Sequence, residues 1–226
     1  MGRYSDGSAY CFGCGYTERG TTNRWIAGHV GEQSSEVPDY PTLPSDTSVS
    51  FGSGAIRYLE RSKVSIPTAI ERGLRYSAER EQLLFPYYDK DGNLACLQAR
   101  NFNQYRSKKA KYHNQGSPSA VLPVYKCLHT SSLAKTLVIT EDALSAIRIA
   151  SMCDAMPALG TYVPVHKIMA LAPLYEFIIV WLDRDKLREA RHIAENFQWL
   201  GLSARTVFTE EDPKAYTDEQ IMEYLK

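Results

Sequence analysis

Two short apolar runs, each followed by acidic residues, constrain the fold of this chain more than any other feature. Residues 137–139 and 177–182 are rich in β-branched and aromatic side chains and are short enough for buried strands. Between them, small and apolar residues recur at helical spacing over 143–150. This order predicts a parallel crossover, in which both strands end at the same edge of one sheet. Open α/β sheets bind their ligands at that edge.

Carboxylates follow both predicted strands. Glu141 comes after the first strand, and Asp183 and Asp185 come after the second. Like charges at close range raise each other's pKa unless a cation or a shared proton neutralises them. In an extended strand end, the i, i+2 spacing places Asp183 and Asp185 on the same side, and such oxygen ligands suit Mg²⁺ or Mn²⁺. An isolated Asp-x-Asp is usually a solvated turn, but the second acidic strand end favours a metal site.

Three segments together resemble the Toprim domain of primases, type IA topoisomerases and related nucleases. They are TEDALSA (140–146), LDRDK (182–186) and EEDPKAY (210–216). The resemblance implies that the catalytic residues are Glu141, Asp183 and Asp185, and that these three bind Mg²⁺ or Mn²⁺ together with Asp212.

The chain departs from the Toprim pattern at two points. Asp142 stands where a glycine usually follows the glutamate, and residues 186–188 replace the small residue that is common after Asp-x-Asp. Neither change removes a ligand, but both change the surroundings of the predicted metal pocket.

Two further segments resemble the polymerase core of DNA primases specifically. They are YLERSKVSIPTAIERGLRY (58–76) and LLFPYYDKDGNLACLQARNF (83–102). Topoisomerases and Toprim nucleases are not expected to share them. The elements predicted here are helices at 54–60 and 67–73 and a hairpin of residues 83–88 and 94–100.

The formal net charge of the chain is zero, but the charge is unevenly distributed. Residues 92–140 contain no Asp or Glu and seven Lys or Arg, so the rest of the chain is acidic by seven. A basic field beside a carboxylate cluster suits a phosphate-handling site, with a solvated basic loop as the alternative. Aromatic residues alternate with basic and amide residues over 101–117, as in surfaces that bind nucleic acid. The resemblance to primases implies that its Lys-Tyr-x-Asn pattern binds nucleotide and template. The candidate residues for nucleotide and nucleic-acid binding are Arg100, Arg106, Lys108, Lys109, Lys111, Tyr112 and Asn114.

Cys11 and Cys14 are the only closely spaced pair among five cysteines, which argues against a disulfide framework. A closed structural zinc site needs four ligands, and only these two are evident. YSDGSAYCFGCG (4–15) resembles the second half of the zinc ribbon that precedes the catalytic core of phage and bacterial primases. The resemblance implies Zn²⁺ as a second cofactor, bound partly by Cys11 and Cys14. Either the ribbon is degenerate or the chain begins inside it.

The expected fold class is α/β, with an α+β N-terminal subdomain followed by a Toprim subdomain that has a mainly parallel sheet. The length suits one domain or two small ones. No apolar run approaches the length of a membrane span and no secretory signal is visible, so we expect a soluble protein of the phage or bacterial host cytoplasm with no membrane partner. The predicted segments are a zinc-ribbon-like head at 1–31, a linker rich in Ser, Pro, Thr and Gly at 32–53, an N-terminal basic subdomain at 54–130 and the Toprim subdomain at 131–226.

The resemblance therefore implies a DNA primase of phage type. Such a nucleotidyltransferase copies a single-stranded DNA template into short RNA primers from ribonucleoside triphosphates. Because the sequence ends at Lys226 with no helicase domain, a replicative helicase acting in trans is the expected protein partner. Two other classes stay open: a Toprim nuclease, which would cleave strands without nucleotides, and a non-catalytic nucleic-acid-binding relative. The intact carboxylates at 141, 183 and 185 argue against the second.

Overall fold

The computed structural model describes residues 40–103, 110–128, 133–160 and 162–226, and, before residue 40, the backbone of three short strands. Contacts divide the chain into two units, residues 1–39 and residues 40–226. Each unit is described by itself.

The first unit contains a three-stranded antiparallel sheet in the order β1-β2-β3. Its strands are β1 (Gly2–Arg3), β2 (Ala9–Tyr10) and β3 (Thr17–Glu18). Cys11 and Cys14, the predicted zinc ligands, lie outside the described residues, so the zinc-ribbon-like head stays a prediction.

Five consecutive antiparallel strands form the first sheet of the second unit. They are β4 (Thr47–Ser48), β5 (Arg75–Ser77), β6 (Gln82–Tyr88), β7 (Leu94–Asn101) and β8 (Tyr112–Gly116). The pairing of β6 with β7 confirms the hairpin that the sequence predicts. In its turn, Gly92 has a φ of +84°, a conformation that glycine adopts without a Cβ clash. The Asp89 carboxylate closes the turn by accepting backbone hydrogen bonds from Asp91 and Asn93, each at 2.9 Å.

Two helices lie between β4 and β5, and both confirm the sequence prediction. They are α1 (Ser53–Arg61) and α2 (Ile66–Glu71). Leu59 of α1 is fully buried in the same apolar cluster as Phe85 of β6. The Ser65 hydroxyl accepts a hydrogen bond of 3.1 Å from a backbone N–H in the first turn of α2, which is the usual way a helix begins.

Residues 40–53 belong to the interval that the sequence assigned to a linker, yet they pack on this sheet. Pro44 is buried, and the Asp46 carboxylate accepts hydrogen bonds from the Ser77 hydroxyl at 2.8 Å and the Glu79 amide at 2.9 Å. The spacing of the three prolines in this interval predicts no regular structure, but the short strand β4 forms within it. A two-residue edge strand needs few backbone donors, so nearby prolines are tolerated.

Four parallel strands form the second sheet of this unit. They are β9 (Thr136–Thr140), β10 (Asp154–Pro157), β11 (Phe177–Trp181) and β12 (Ser203–Thr206). Their order is β10-β9-β11-β12, and β9 and β11 are adjacent and parallel, with Thr140 opposite Trp181. The predicted crossover is therefore confirmed. Strand β10 was not predicted, because its four residues end in proline and show no alternating pattern.

Helices cover both faces of the parallel sheet. They are α3 (Ala143–Ile149), α4 (Val165–Leu171), α5 (Leu187–Trp199) and α6 (Asp218–Leu225). Leu137 and Ile139 of β9 are buried with residues of α4 and α5, and Val138 is buried with residues of α3 and α6. Leu144 and Ile147 of α3 also belong to the core beneath the antiparallel sheet. Helix α3 therefore lies between the two sheets.

Short turns complete the second unit. In the sequence, Gln220 three residues after Thr217 predicts a capping box for the last helix, and each of the two side chains hydrogen-bonds the other residue's backbone amide. The 3-10 turns are Pro118–Ala120, Ala172–Leu174, Arg184–Lys186 and Pro213–Ala215.

The mixed α/β class predicted from the sequence is confirmed, with an antiparallel sheet and its helices preceding a parallel α/β part. The boundaries at residues 31, 53 and 130 stay predictions. Within the part of the chain that the structure describes, no helix combines the length and apolar character needed to cross a membrane.

Candidate active site

The carboxyl edge of the parallel sheet brings together three of the acidic residues that the sequence singled out. Glu141 follows β9 directly, and Asp183 lies two residues beyond the end of β11. Asp212 follows β12, the other neighbour of β11, and immediately precedes the 3-10 turn Pro213–Ala215. Three adjacent parallel strands therefore supply one carboxylate each to the edge where such sheets bind ligands.

Asp183 is strongly perturbed by its surroundings. Burial, followed by the negative charges of Asp212 and Glu141, raises the pKa of Asp183 to about 7. Asp183 also forms a side-chain hydrogen bond with Asp212. Two carboxyl groups hydrogen-bond only through a proton, so this pair shares one unless a cation takes its place.

Glu141 has a buried carboxylate oxygen that no neighbour satisfies. Burial raises the pKa of Glu141, and the negative charge of Asp185 raises it further. Its Oε2 atom is buried and has no hydrogen-bond partner. A buried carboxylate oxygen is costly unless it is paired. The Oε2 atom of Glu141 can therefore accept a hydrogen bond or bind a cation.

Asp185 lies in a 3-10 turn and not in an extended strand end. Its predicted role beside Asp183 stays a prediction. Strand β11 ends at Trp181, and the 3-10 turn Arg184–Lys186 rotates successive side chains around its axis. The side chain of Asp185 is 73% exposed and pairs with Lys186 at 2.6 Å. That hydrogen bond and the charge of Lys186 hold the pKa of Asp185 below its usual value.

A lysine that the sequence analysis did not identify lies inside the carboxylate group. Lys214 Nζ is 2.6 Å from Asp142 Oδ2 and 2.6 Å from Asp212 Oδ2. Asp142 also caps α3, because its Oδ1 accepts the backbone N–H groups of Leu144 at 2.9 Å and Ser145 at 3.2 Å. Burial alone would raise the pKa of Asp142, but the Lys214 charge and these hydrogen bonds hold it below its usual value.

Of Asp142 and Lys214, only Asp142 could have been identified from the sequence. An aspartate directly before an apolar helical run is a typical N-cap, so a capping role for Asp142 could have been read. Its contact with Lys214 joins positions 72 residues apart, and no local pattern reports such a distance.

Among the described residues, no three His, Cys, Asp or Glu side chains already surround a point that could hold a metal ion. Two of the carboxylates are paired with lysines, Asp185 with Lys186 and Asp212 with Lys214. The chemistry of the donors nevertheless fits a hard divalent cation. Glu141 has an unpartnered oxygen, and a cation could replace the proton that Asp183 shares. These residues therefore suit Mg²⁺ or Mn²⁺.

A cationic group on the antiparallel sheet stands near these carboxylates. The Arg100 guanidinium on β7 lies 3.7 Å from the ring centroid of Tyr58 and 5.1 Å from that of Tyr112, within the range of cation–π attraction. The two tyrosine hydroxyls are 2.5 Å apart. Arg100 Nε is buried without a hydrogen-bond partner. In the described part of the chain, no carboxylate forms an ion pair with Arg100.

Asp142 connects the two groups electrostatically. Burial raises the pKa of Tyr58 far above its usual value, and the negative charge of Asp142 is the next cause. The same two causes, in the same order, raise the pKa of Tyr112. The Arg100 cluster (Arg100, Tyr58 and Tyr112) therefore lies within electrostatic range of the carboxylate edge.

The other candidate binding residues divide between described and undescribed parts of the chain. Lys111 and Tyr112 lie next to Arg100, because β8 pairs with β7 and Tyr112 is opposite Arg100. Asn114 Oδ1 accepts a hydrogen bond of 3.2 Å from Gln98 Nε2 across the same pair of strands. The predicted residues Arg106, Lys108 and Lys109 lie outside the described residues.

Comparison with known proteins connects this arrangement to one group of solved structures. No protein-family model matches the chain, and no curated protein matches it. The structure is similar to the primase fragment of the bacteriophage T7 primase-helicase protein, with a TM-score of 0.54 and 18% sequence identity, over 99% of this chain and 92% of that one.

Two similar structures come from the DnaG group of primases. The DnaG primase catalytic domain bound to single-stranded DNA has a TM-score of 0.55 and 19% identity, over 76% of this chain and 69% of that one. The RNA polymerase domain of Mycobacterium tuberculosis primase DnaG has a TM-score of 0.53 and 18% identity, over 72% and 70%. The chain therefore has the fold of primase catalytic domains.

Proposed function

We propose that this protein is a DNA primase that makes short RNA primers on single-stranded DNA. Two features carry the proposal. One is the carboxylate group of Glu141, Asp183 and Asp212, and the other is Arg100 on the antiparallel sheet, which has no carboxylate partner among the described residues. A nucleoside triphosphate with its divalent cation carries both signs of charge, so it complements both groups. The fold supports the same reaction, since the similar structures are primase catalytic domains.

The carboxylates would hold Mg²⁺ or Mn²⁺. Glu141, Asp183 and Asp212 are the proposed ligands, and Asp185 joins them once Lys186 releases it, because its charge already acts on Glu141. When bound, the cation would neutralise phosphate charge and favour the deprotonated primer hydroxyl. Asp183 contributes by giving up the proton that it shares with Asp212.

The residues of the antiparallel sheet would bind and orient the nucleotide and template. Arg100 presents planar donors that match phosphate oxygens, and its stacking on Tyr58 holds the guanidinium in place. Lys111 adds a second positive charge beside it, and the edge strand β8 also presents Tyr112 and Asn114. Phosphoryl transfer depends mainly on such positioning and charge stabilisation.

Incorporation of labelled ribonucleotides on single-stranded DNA tests the proposal. Short oligoribonucleotides should appear only when template, triphosphates and Mg²⁺ or Mn²⁺ are all present. Omission of each component in turn is the control. Loss of template with metal alone, combined with no incorporation when triphosphates are added, would favour a Toprim nuclease and reject primer synthesis.

We propose a replicative helicase as the protein partner, acting in trans. The similar T7 fragment belongs to a primase-helicase protein, which supports a physical link between these activities. Holding the primase at the template raises its effective concentration there. Primer yield should therefore rise when the helicase of the same replication system is added, and an unchanged yield would reject this partner.

A further inference from the structure

The ion pair between Asp142 and Lys214 adds a charged group to the site that the expected ligand set does not include. Both side chains are largely shielded, with 21% of Asp142 and 17% of Lys214 exposed. Lys214 also donates to Asp212, a proposed metal ligand, through the same Nζ atom. One ammonium group therefore joins a helix cap to a ligand of the proposed site.

Lys214 is held from more than one direction. Asp142 cannot shift without breaking the cap of α3, since its carboxylate accepts both N–H groups of the first turn and the Ser145 hydroxyl at 2.7 Å. The turn that carries Lys214 is held as well, because Lys63 Nζ donates to the Ala215 carbonyl at 2.8 Å. The ammonium is thus placed by α3 on one side and by residues near α1 on the other.

The contact with Lys214 restricts the carboxylate of Asp212. Its Oδ2 atom accepts from Lys214 at 2.6 Å, and the same carboxyl group hydrogen-bonds Asp183. A free carboxylate rotates about its side-chain bonds and can bind a cation with one oxygen or with two. With one oxygen held by a permanent positive charge, Asp212 keeps its orientation and has a single oxygen left for a cation.

We propose that Lys214 is a positioning residue that holds Asp212 against Asp183, so that Asp212 enters the metal site as a ligand through one oxygen. This inference rests on the proposed function, since it assigns a role within the same site. Lys214 does not act as the proton donor of the reaction, because both of its carboxylate partners favour the charged ammonium.

The double variant Asp142→Asn with Lys214→Met tests the role without leaving a buried charge unpaired. Replacing both members of an ion pair by neutral groups is often close to neutral for stability, and Asn is a good N-cap. Mn²⁺ affinity is measured by titration calorimetry, and turnover is measured by nucleotide incorporation. Removing a partner that orients a metal ligand typically costs about 10-fold to 100-fold in affinity or activity, which is the expected loss for both.

Lys135→Met is the matched control, because it removes a lysine that pairs with Glu176 and contacts no carboxylate of the site. Its Mn²⁺ affinity should equal that of the wild type. Lys214→Arg against Lys214→Met gives a second comparison should the double variant fail to fold. Positioning predicts that Mn²⁺ affinity falls from wild type to Lys214→Arg to Lys214→Met.

Two outcomes overturn the role of Lys214. One is wild-type affinity and turnover in the double variant, and the other is tighter Mn²⁺ binding in either methionine variant, which would make Lys214 a competitor of the metal. A different result rejects the proposed function itself. The proposed metal site does not exist if the wild-type protein binds no Mn²⁺, or if Asp183→Asn binds Mn²⁺ as tightly as the wild type does.

Discussion

The two sheets of the second unit handle charge in opposite ways. On the antiparallel sheet, Arg100 stacks on the neutral ring of Tyr58, so the guanidinium is held in place without losing its net charge. On the parallel sheet, Glu141, Asp183 and Asp212 repel one another, with one lysine compensating part of their charge. The sheets are thus left with charge of opposite sign near the shared helix α3. A metal-bound triphosphate carries both signs and matches this difference.

The largest expected effect comes from removing the central carboxylate. Asp183→Asn deletes the group that shares a proton with Asp212 and should lower nucleotide incorporation by more than about 100-fold, since loss of a ligand exceeds the loss of the groups that orient it. Asp185→Asn is the matched comparison and should cost less, because Asp185 is exposed and must leave Lys186 before it joins the ligands. Initial rates at saturating Mg²⁺ measure both variants. Equal losses would show that Asp185 is as central as the sequence predicts.

The next largest effect is expected on the free energy of unfolding, when the ion pair between Asp142 and Lys214 is broken. Lys214→Met alone leaves the shielded charge of Asp142 without its partner, and breaking a buried pair in this way costs about 3–5 kcal/mol. Equilibrium unfolding in urea measures the change in free energy. Lys63→Met, which loses only an exposed hydrogen bond, should change it little. A similar small change for Lys214→Met would mean that solvent screens the pair.

On the antiparallel sheet, the expected effect is on substrate binding. Arg100→Met removes the guanidinium and should raise KM for nucleoside triphosphate by about 10-fold to 100-fold, the equivalent of one charged hydrogen bond. Arg75→Met is the matched control, because Arg75 lies on the same sheet and donates to the Leu74 carbonyl. Steady-state kinetics on single-stranded template separate KM from kcat. A loss in kcat alone would place Arg100 at the transition state rather than in binding.

Local patterns explain which parts of the fold were predictable. The hairpin of β6 and β7, the crossover from β9 to β11 and the capping box at Thr217 each depend on residues close in sequence, so periodicity and turn residues identified them. Strands β4, β5 and β10 were missed because they have two to four residues, and β8 was missed because its sequence, YHNQG, has no aliphatic residue. A two-residue strand such as β4 has no period to detect and forms only because β5 accepts it.

The candidate site divides in the same way. Glu141, Asp183 and Asp212 come together because adjacent parallel strands end at one edge, which strand order alone implies. The pairing of Asp185 with Lys186 depends on a 3-10 turn, and the link from Lys214 to Asp142 is a contact across 72 positions. Neither follows from spacing, since spacing cannot report what lies on the neighbouring strand.

The smallest expected effect is a pH dependence that belongs to the carboxylate edge alone. The pKa of Asp183 in the folded protein is about 7, against an ordinary value of 3.8. The folded state therefore binds this proton more tightly than the unfolded state does, so Asp183 contributes stability below pH 4 that is lost as pH rises through 7.

Thermal melting of wild type and Asp183→Asn from pH 4 to pH 8 measures the loss. The melting temperature of the wild type should fall relative to the variant across that window, because Asn has no proton to lose and also relieves the repulsion on Glu141 and Asp212. At pH 8, Mg²⁺ should raise the melting temperature of the wild type more than that of the variant, since the cation replaces the missing proton. Parallel melting curves at all pH values, with no separate response to Mg²⁺, would mean that the carboxylates of the parallel sheet are already fully compensated, unlike Arg100 on the antiparallel sheet.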